Sequence, residues 1–395
     1  MMTVEEARGR ILARARRTGI ETVALAQGFG RVLAADVVAR VTQPPADVSA
    51  MDGYALRAAD GAAGARLKVI GAAPAGHPFA GAVGAGEAVR LFTGSFVPAG
   101  ADAVLLQEDA TAAEGFVTVH EAAIAGRHIR RGGQDFAAGE VLIPAGRRLT
   151  ARDIGLAAAG NTPWLSVFRR PVIAILATGD EISLPGEPVP PGGIVSSNSH
   201  AMAAFVTASG GVPVVLPIAA DTLEAVAAGA DAARGADMLV TTGGASVGEH
   251  DLVQAGLGTR GLKLDFWKIA MRPGKPLIFG ALGEMPVLGL PGNPVSAFVC
   301  ALLFLRPAIA AMAGLPAAAP ATQWARLSTA MKANDQREDY VRATLGPDGA
   351  VTPYPVQDSG MLRALARADA LIRRPAHQAA LEAGERVEII ALGDL

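Results

Sequence analysis

Val172–Ala177 followed by Thr178-Gly179-Asp180-Glu181, Asp237–Val240 followed by Thr241-Thr242-Gly243-Gly244-Ala245-Ser246-Val247-Gly248, and Pro286–Leu290 followed by Pro291-Gly292-Asn293-Pro294-Val295-Ser296 are three short apolar runs that each end in a glycine-rich turn. Strands of this kind alternating with helical stretches predict a parallel sheet. Loops at the carboxyl ends of such strands gather on one rim, where ligands bind. Glycine lets backbone N–H groups approach a phosphate closely, and a following helix N-terminus adds a favourable dipole. Two of the turns carry or lead to carboxylates, so together they predict a phosphorylated ligand with a hard cation.

The punctuation around these turns is regular. Asn198 is placed to cap a helix that runs to Ser209 and stops at Gly210-Gly211. Asp221 with Glu224 gives a capping-box-like start to a helix reaching Ala233, after a strand Val214–Ile218. Asn293, with Pro294 at the first position, predicts a cap for a helix reaching about Arg306. Upstream, Thr3 to Thr18 reads as a charged amphipathic helix, and Gln43-Pro44-Pro45 breaks the chain. Residues 47–137 are rich in Gly, Ala and Val with strand-like runs at Leu67–Ile70 and Ala103–Gln107, which predicts a small β-rich module. Helical spacing returns at Thr150 to Ala159, and Phe168-Arg169-Arg170-Pro171 opens the α/β region. After a linker-like Leu315–Pro320, the runs Tyr340–Leu345 and Val387–Ala391 predict a small C-terminal β-barrel or sandwich.

At 395 residues the chain exceeds one ordinary core, so two to four domains are expected. The net charge of −2 argues against nucleic acid as the main partner. The 51% hydrophobic content reflects alanine. The longest strongly apolar stretch, Ala297–Leu305, is followed by Arg306 and Pro307 and reads as far too short to span a membrane. Met1–Glu6 has no basic or apolar region of a signal peptide, which predicts a cytoplasmic protein. The single Cys300, in an apolar helix, reads as a packed core thiol.

Asp180 and Glu181 at a strand end suit Mg²⁺, which takes few carboxylates plus water and ligand phosphates; the alternative is a solvated acidic turn. Asp221 is either a helix cap or a rim carboxylate, or both. Gly243 and Gly244 followed by Ser246 and Gly248 predict a nest of N–H donors for an anion, with Glu249 and Asp251 close by and His250 more simply an exposed loop residue. Lys268, Arg272 and Lys275 put three cations in eight residues on a Pro- and Gly-stiffened loop, against the plainer reading of a solvated basic turn. Taken alone, Asp52-Gly53 and Arg130-Arg131-Gly132-Gly133-Gln134-Asp135 are only turn signals.

Together these segments resemble the molybdopterin molybdenumtransferase family, the bacterial MoeA proteins and the gephyrin E domain. The resemblance runs in order through Pro44-Pro45, Ser49-Ala50-Met51-Asp52-Gly53-Tyr54-Ala55, Thr93-Gly94, Arg130-Arg131-Gly132 with Asp135, the first two glycine-rich turns, Arg272-Pro273-Gly274-Lys275-Pro276, and Gly289-Leu290 with the third glycine-rich turn. It implies an α/β and β multidomain fold: a linker lobe (1–46 and 138–167), an inserted β-rich domain (47–137), a molybdopterin-binding three-layer α/β domain (168–315) and a C-terminal β-barrel (316–395). It implies a homodimer that inserts molybdenum from molybdate into adenylylated molybdopterin and releases AMP, with Mg²⁺. It also implies a cleft formed by the α/β domain of one protomer and the inserted domain of its partner. Molybdopterin adenylyltransferase and molybdoenzyme-maturation proteins are the implied partners.

Carried over residue by residue, the resemblance puts Asp52, Asp135, Asp221, Lys268, Arg272 and Lys275 in catalytic roles. Ligand-binding roles fall to Thr93, Thr178, Gly179, Gly243, Gly244, Ser246, Gly248, Pro291, Gly292, Asn293, Pro294 and Ser296, and metal-binding roles to Asp180, Glu181 and Asp251. The chain departs from the pattern at Ser196, where many members have an acid, at Gln134, usually Glu, and at Arg272, a Lys in some members. Competing readings are a molybdopterin adenylyltransferase, disfavoured by the length, and a gephyrin-like peptide-binding scaffold, disfavoured by the full set of acids and cations.

Overall fold

The computed structural model describes residues 1–243 and 252–393, which form two compact units. One holds residues 22–29 and 35–165, the other residues 1–21, 30–34 and 166–395.

In the first unit the β-rich segment is a six-stranded sheet in the order Ala103–Leu106, Gly53–Leu56, Glu87–Leu91, Arg66–Ala73, Phe116–Val119, Ala110–Ala113. Strand period two sorts the side chains. Tyr54, Leu56 and Leu105 enter one apolar cluster, and Ala55, Val89 and Val104 enter another. Helix Ala151–Ala159 starts from a reciprocal Thr150/Asp153 capping box.

The second unit is built on a six-stranded sheet in the order Val212–Val215, Val172–Ala177, Met238–Thr242, Met285–Leu290, Pro276–Leu282, Leu262–Lys268. The first four strands are parallel, as the alternation predicts. Pro276–Leu282 runs antiparallel to both its neighbours, Met285–Leu290 and Leu262–Lys268, which corrects the purely parallel expectation. Gly283 and Glu284 join Leu282 to Met285 directly, and a two-residue hairpin can only reverse the strand. Ile173, Val240 and Leu288 point into a core shared with helices Asn198–Ala208 and Pro294–Met312. Leu176, Leu239 and Val287 point the other way, onto helices Leu223–Ala232 and Leu252–Gly258. The result is the expected three-layer α/β arrangement. Buried Cys300 lies in this core, where desolvation pushes its thiol pKa up, as a packed thiol should behave.

Helix ends show where local signals mislead. Thr3 caps the first helix with Glu6, and that helix stops at Arg14 rather than Thr18. Asn198 is the first residue of its helix, not the cap. Thr222, not Asp221, caps the next, accepting from the Ala225 N–H at 3.1 Å. Nor do Arg306 and Pro307 end the apolar helix. It runs for 19 residues, Pro294–Met312, with Ala301–Leu305 wound as π turns just before Pro307. By length and mean hydropathy of 2.0 this helix could cross a membrane, but 78% of its window is buried inside the protein, as in a core helix.

The C-terminal segment closes into a barrel in the order Glu338–Leu345, Ala350–Pro353, Gln323–Leu327, Arg386–Ala391, Ala370–Arg374 and back to Glu338–Leu345. The short strand Met271–Arg272 joins it in parallel through Glu338 and Asp339.

Candidate active site

The three glycine-rich turns meet at the carboxyl ends of the parallel strands. The Thr178 N–H donates to Thr242 O at 3.2 Å, and the Gly179 N–H donates to Ala219 O at 3.2 Å. Asn198 Nδ2 donates to Gly292 O at 2.7 Å, which explains why it does not cap its helix. A Cβ on Gly243 would sit 2.6 Å from Thr178 O at a φ of +98°, so only glycine lets these two turns pass so closely.

Between them lies a cavity of about 660 Å³. Its lining includes Thr178, Gly179, Glu181, Asp221, Gly243, Lys275, Pro291, Gly292, Asn293 and Pro294, all singled out in the sequence. Ser196, Ser197 and Asn198 also line it. Sequence reading placed Ser196 only as a departure and Asn198 only as a cap; the signal for all three was their place before a helix on the same rim. Thr178 is 3% exposed, and its buried hydroxyl oxygen has no hydrogen-bond partner among the described residues. An unsatisfied buried hydroxyl is costly unless something completes it, and this one belongs to a cavity wall.

The predicted cations separate. Lys275 lines the cavity. Arg272 Nη2 instead binds Asp339 Oδ2 at 2.6 Å, with Asp335 at 3.7 Å. Asp339 is 5% exposed and demands such a partner. Lys268 packs its ammonium 3.5 Å from the Trp267 ring centroid, a cation–π contact. Neither Arg272 nor Lys268 is among the residues that line the cavity.

The acids separate as well. Glu181 and Asp221 face the cavity, whereas Asp180 Oδ1 accepts the Asp221 N–H at 3.0 Å and so braces its neighbour. Ser296 is buried and outside the lining. Gly244, Ser246, Gly248, Glu249, His250 and Asp251 lie outside the described residues. Among the described residues no cluster of three metal-ligating side chains forms.

The other unit holds the remaining candidates. Asp52 Oδ1 accepts the Thr93 N–H at 2.7 Å and the Thr93 hydroxyl at 2.9 Å, and these bonds hold its carboxyl below the usual range. Gly94 and Asp135, with Gln43, Pro44, Pro45 and Arg130, line a cavity of about 560 Å³ within that unit. A carboxylate with a depressed folded value stabilises the fold above its unfolded value of about 3.9. That contribution disappears as pH falls through the lower, folded value. Asp52→Asn should therefore shrink the drop in melting temperature between about pH 5 and pH 2. An unchanged drop, measured by thermal melting across that range, would refute this assignment.

Comparison with known proteins places this geometry. The family models for the MoeA N-terminal region (domain I and II), a probable molybdopterin binding domain and the MoeA C-terminal region (domain IV) match residues 2–160, 174–311 and 324–392. The chain is 35% identical over 381 residues to molybdopterin molybdenumtransferase 2 of Mycobacterium tuberculosis, covering 93% of this chain and 94% of that protein. It is 36% identical over 317 residues to the molybdopterin molybdenumtransferase of Haemophilus influenzae, covering 80% and 78%. The crystal structure of a molybdopterin biosynthesis MoeA protein from Pyrococcus horikoshii OT3 superposes with a TM-score of 0.85 at 27% identity, covering 99% of this chain and 100% of that one. The chain belongs to the MoeA family of molybdopterin molybdenumtransferases, transferases of molybdenum-cofactor biosynthesis.

Proposed function

We propose that the chain inserts molybdenum from molybdate into adenylylated molybdopterin and releases AMP. The observation that carries this reading is the rim cavity. A lysine, two carboxylates and close-passing glycines converge there on about 660 Å³, a volume suited to a small ligand. Lys275 holds the anionic ligand as a point charge. Pro294 has no N–H, and the Val295 N–H is taken by Ser359 O at 3.1 Å. The helix that follows therefore contributes mainly its dipole.

Glu181 and Asp221 fit Mg²⁺, which needs one or two carboxylates and completes its shell with water and phosphate oxygens. Bound there, Mg²⁺ supplies charge relief at the phosphate link. We also propose a cytoplasmic homodimer that receives its substrate from a molybdopterin adenylyltransferase and passes its product to molybdoenzyme-maturation proteins. Sedimentation at a mass twice that of one chain tests the dimer.

The deciding experiment incubates the pure protein with adenylylated molybdopterin, Mg²⁺ and molybdate and measures AMP. The expected result is AMP release that requires molybdate. Ligand turnover indifferent to molybdate would sink the proposal.

A further inference from the structure

The turn Pro291–Pro294 is gripped from two sides. Asn198 Nδ2 holds Gly292 O on one flank at 2.7 Å. On the other, Asn293 Nδ2 donates to the Ser359 hydroxyl at 2.9 Å, and the Val295 N–H donates to Ser359 O. Asn293 stands at the N-cap of its helix and makes no capping bond there. Asparagine at that position ordinarily caps. Here its amide reaches instead to a loop of the C-terminal barrel.

That loop is itself pinned from beneath. Arg342, 1% exposed, donates through Nη1 to Met361 O at 3.1 Å and through Nη2 to Asp358 O at 2.8 Å. Gln357 accepts from the Arg342 N–H at 3.0 Å and returns a bond from Nε2 to Arg342 O at 3.0 Å. No ion pair to Arg342 forms among the described residues. A buried guanidinium is tolerable only where its donors are met, and its rigid planar fork meets them in one loop conformation.

We infer that Arg342, Gln357 and Ser359 are positioning residues for the rim cavity. They preset the turn Pro291–Pro294 through Asn293 and Val295, although none of the three lines the cavity. The barrel thereby sets ligand affinity from behind the wall. This rests on the rim cavity being the ligand site proposed above.

Two readouts on the full chain test it. The first needs no ligand: amide exchange across Val295–Ala297 should quicken about three- to tenfold in Ser359→Ala and further in Arg342→Met, as expected for the loss of one hydrogen bond or more. Ser359→Thr, which keeps the hydroxyl, should restore wild-type exchange. The second is calorimetry with adenylylated molybdopterin, where Ser359→Ala should bind about three- to tenfold more weakly and Ser359→Thr should recover. Should Arg342→Met not fold, Gln357→Leu takes its place. Unchanged exchange in folded variants overturns the inference, and so does faster exchange with unchanged affinity, because the grip would then be structural only. If the wild-type chain itself binds no ligand while exchange responds as stated, the proposed function fails and the grip on the turn stands.

Discussion

Lys275→Ala should weaken binding of the phosphate-bearing ligand by about ten- to a hundredfold, the cost of a charge-assisted hydrogen bond of roughly 1.5–3 kcal/mol. The loss should shrink as salt rises, because screening already weakens the attraction. Arg272→Ala, though four residues of sequence suggest the same role, should leave affinity nearly intact. Its guanidinium is bound to buried Asp339, so its removal strands that carboxylate and should lower stability by about 2 kcal/mol. Glu181→Ala acts with the opposite sign. Ligand alone should bind as well or better, since negative charge beside its phosphates is gone, while the Mg²⁺ binding seen by calorimetry and the Mg²⁺ dependence of AMP release both fall. Calorimetry with ligand alone, with Mg²⁺ alone and with both separates the three variants. If Arg272→Ala loses as much ligand affinity as Lys275→Ala, the assignment of Arg272 to Asp339 rather than to the ligand is wrong.

Gly53→Ala should disrupt the six-stranded sheet of the first unit. A Cβ there would lie 1.9 Å from Leu105 O and 3.0 Å from Leu105 C, on the neighbouring strand. A backbone oxygen in a paired strand cannot swing aside as a side chain can, so we expect a cost of about 3 kcal/mol or more. Asp52, the preceding residue, should lose its bonds to Thr93 at the same time. Amide exchange across Gly53–Leu106 should accelerate, while the strands Val172–Ala177 and Met238–Thr242 in the other unit keep their protection. Wild-type exchange throughout would show that the strands do not pass so closely.

The sequence made some of this legible and hid the rest for physical reasons. Short-range signals were read well. The three apolar runs, their glycine turns and the helical spacing from Thr150 to Ala159 all act within a few residues. The antiparallel edge was missed because Gly283-Glu284 is a weak turn signal beside stronger ones. Arg272 looked like its neighbour Lys275 until the fold brought Asp339 to it from 67 residues away. Asn198 and Asn293 looked like caps because their local sequence favours capping, and only tertiary partners, Gly292 and Ser359, redirect their amides. Arg342 carried no local mark at all. A charged residue inside a predicted strand reads as solvent-facing, and its burial depends on a loop that returns 14 to 19 residues later.

The π turns at Ala301–Leu305 bear on how this chain tolerates insertions and deletions. One residue fewer in that stretch would let the helix wind as plain α. Such a loss within the π turns leaves the two ends nearly in register, whereas in the flanking α turns it would turn one end against the other by about 100° and draw the ends about 1.5 Å together. Neither end is free to follow. The front is held at Gly292, Asn293 and Val295, and the back accepts the Thr18 N–H on Met312 O at 2.8 Å. A library of single-residue deletions should therefore lose function sharply across 295–300 and 306–312, lose less across 301–305, and survive in the stretch Leu315–Pro320 that follows.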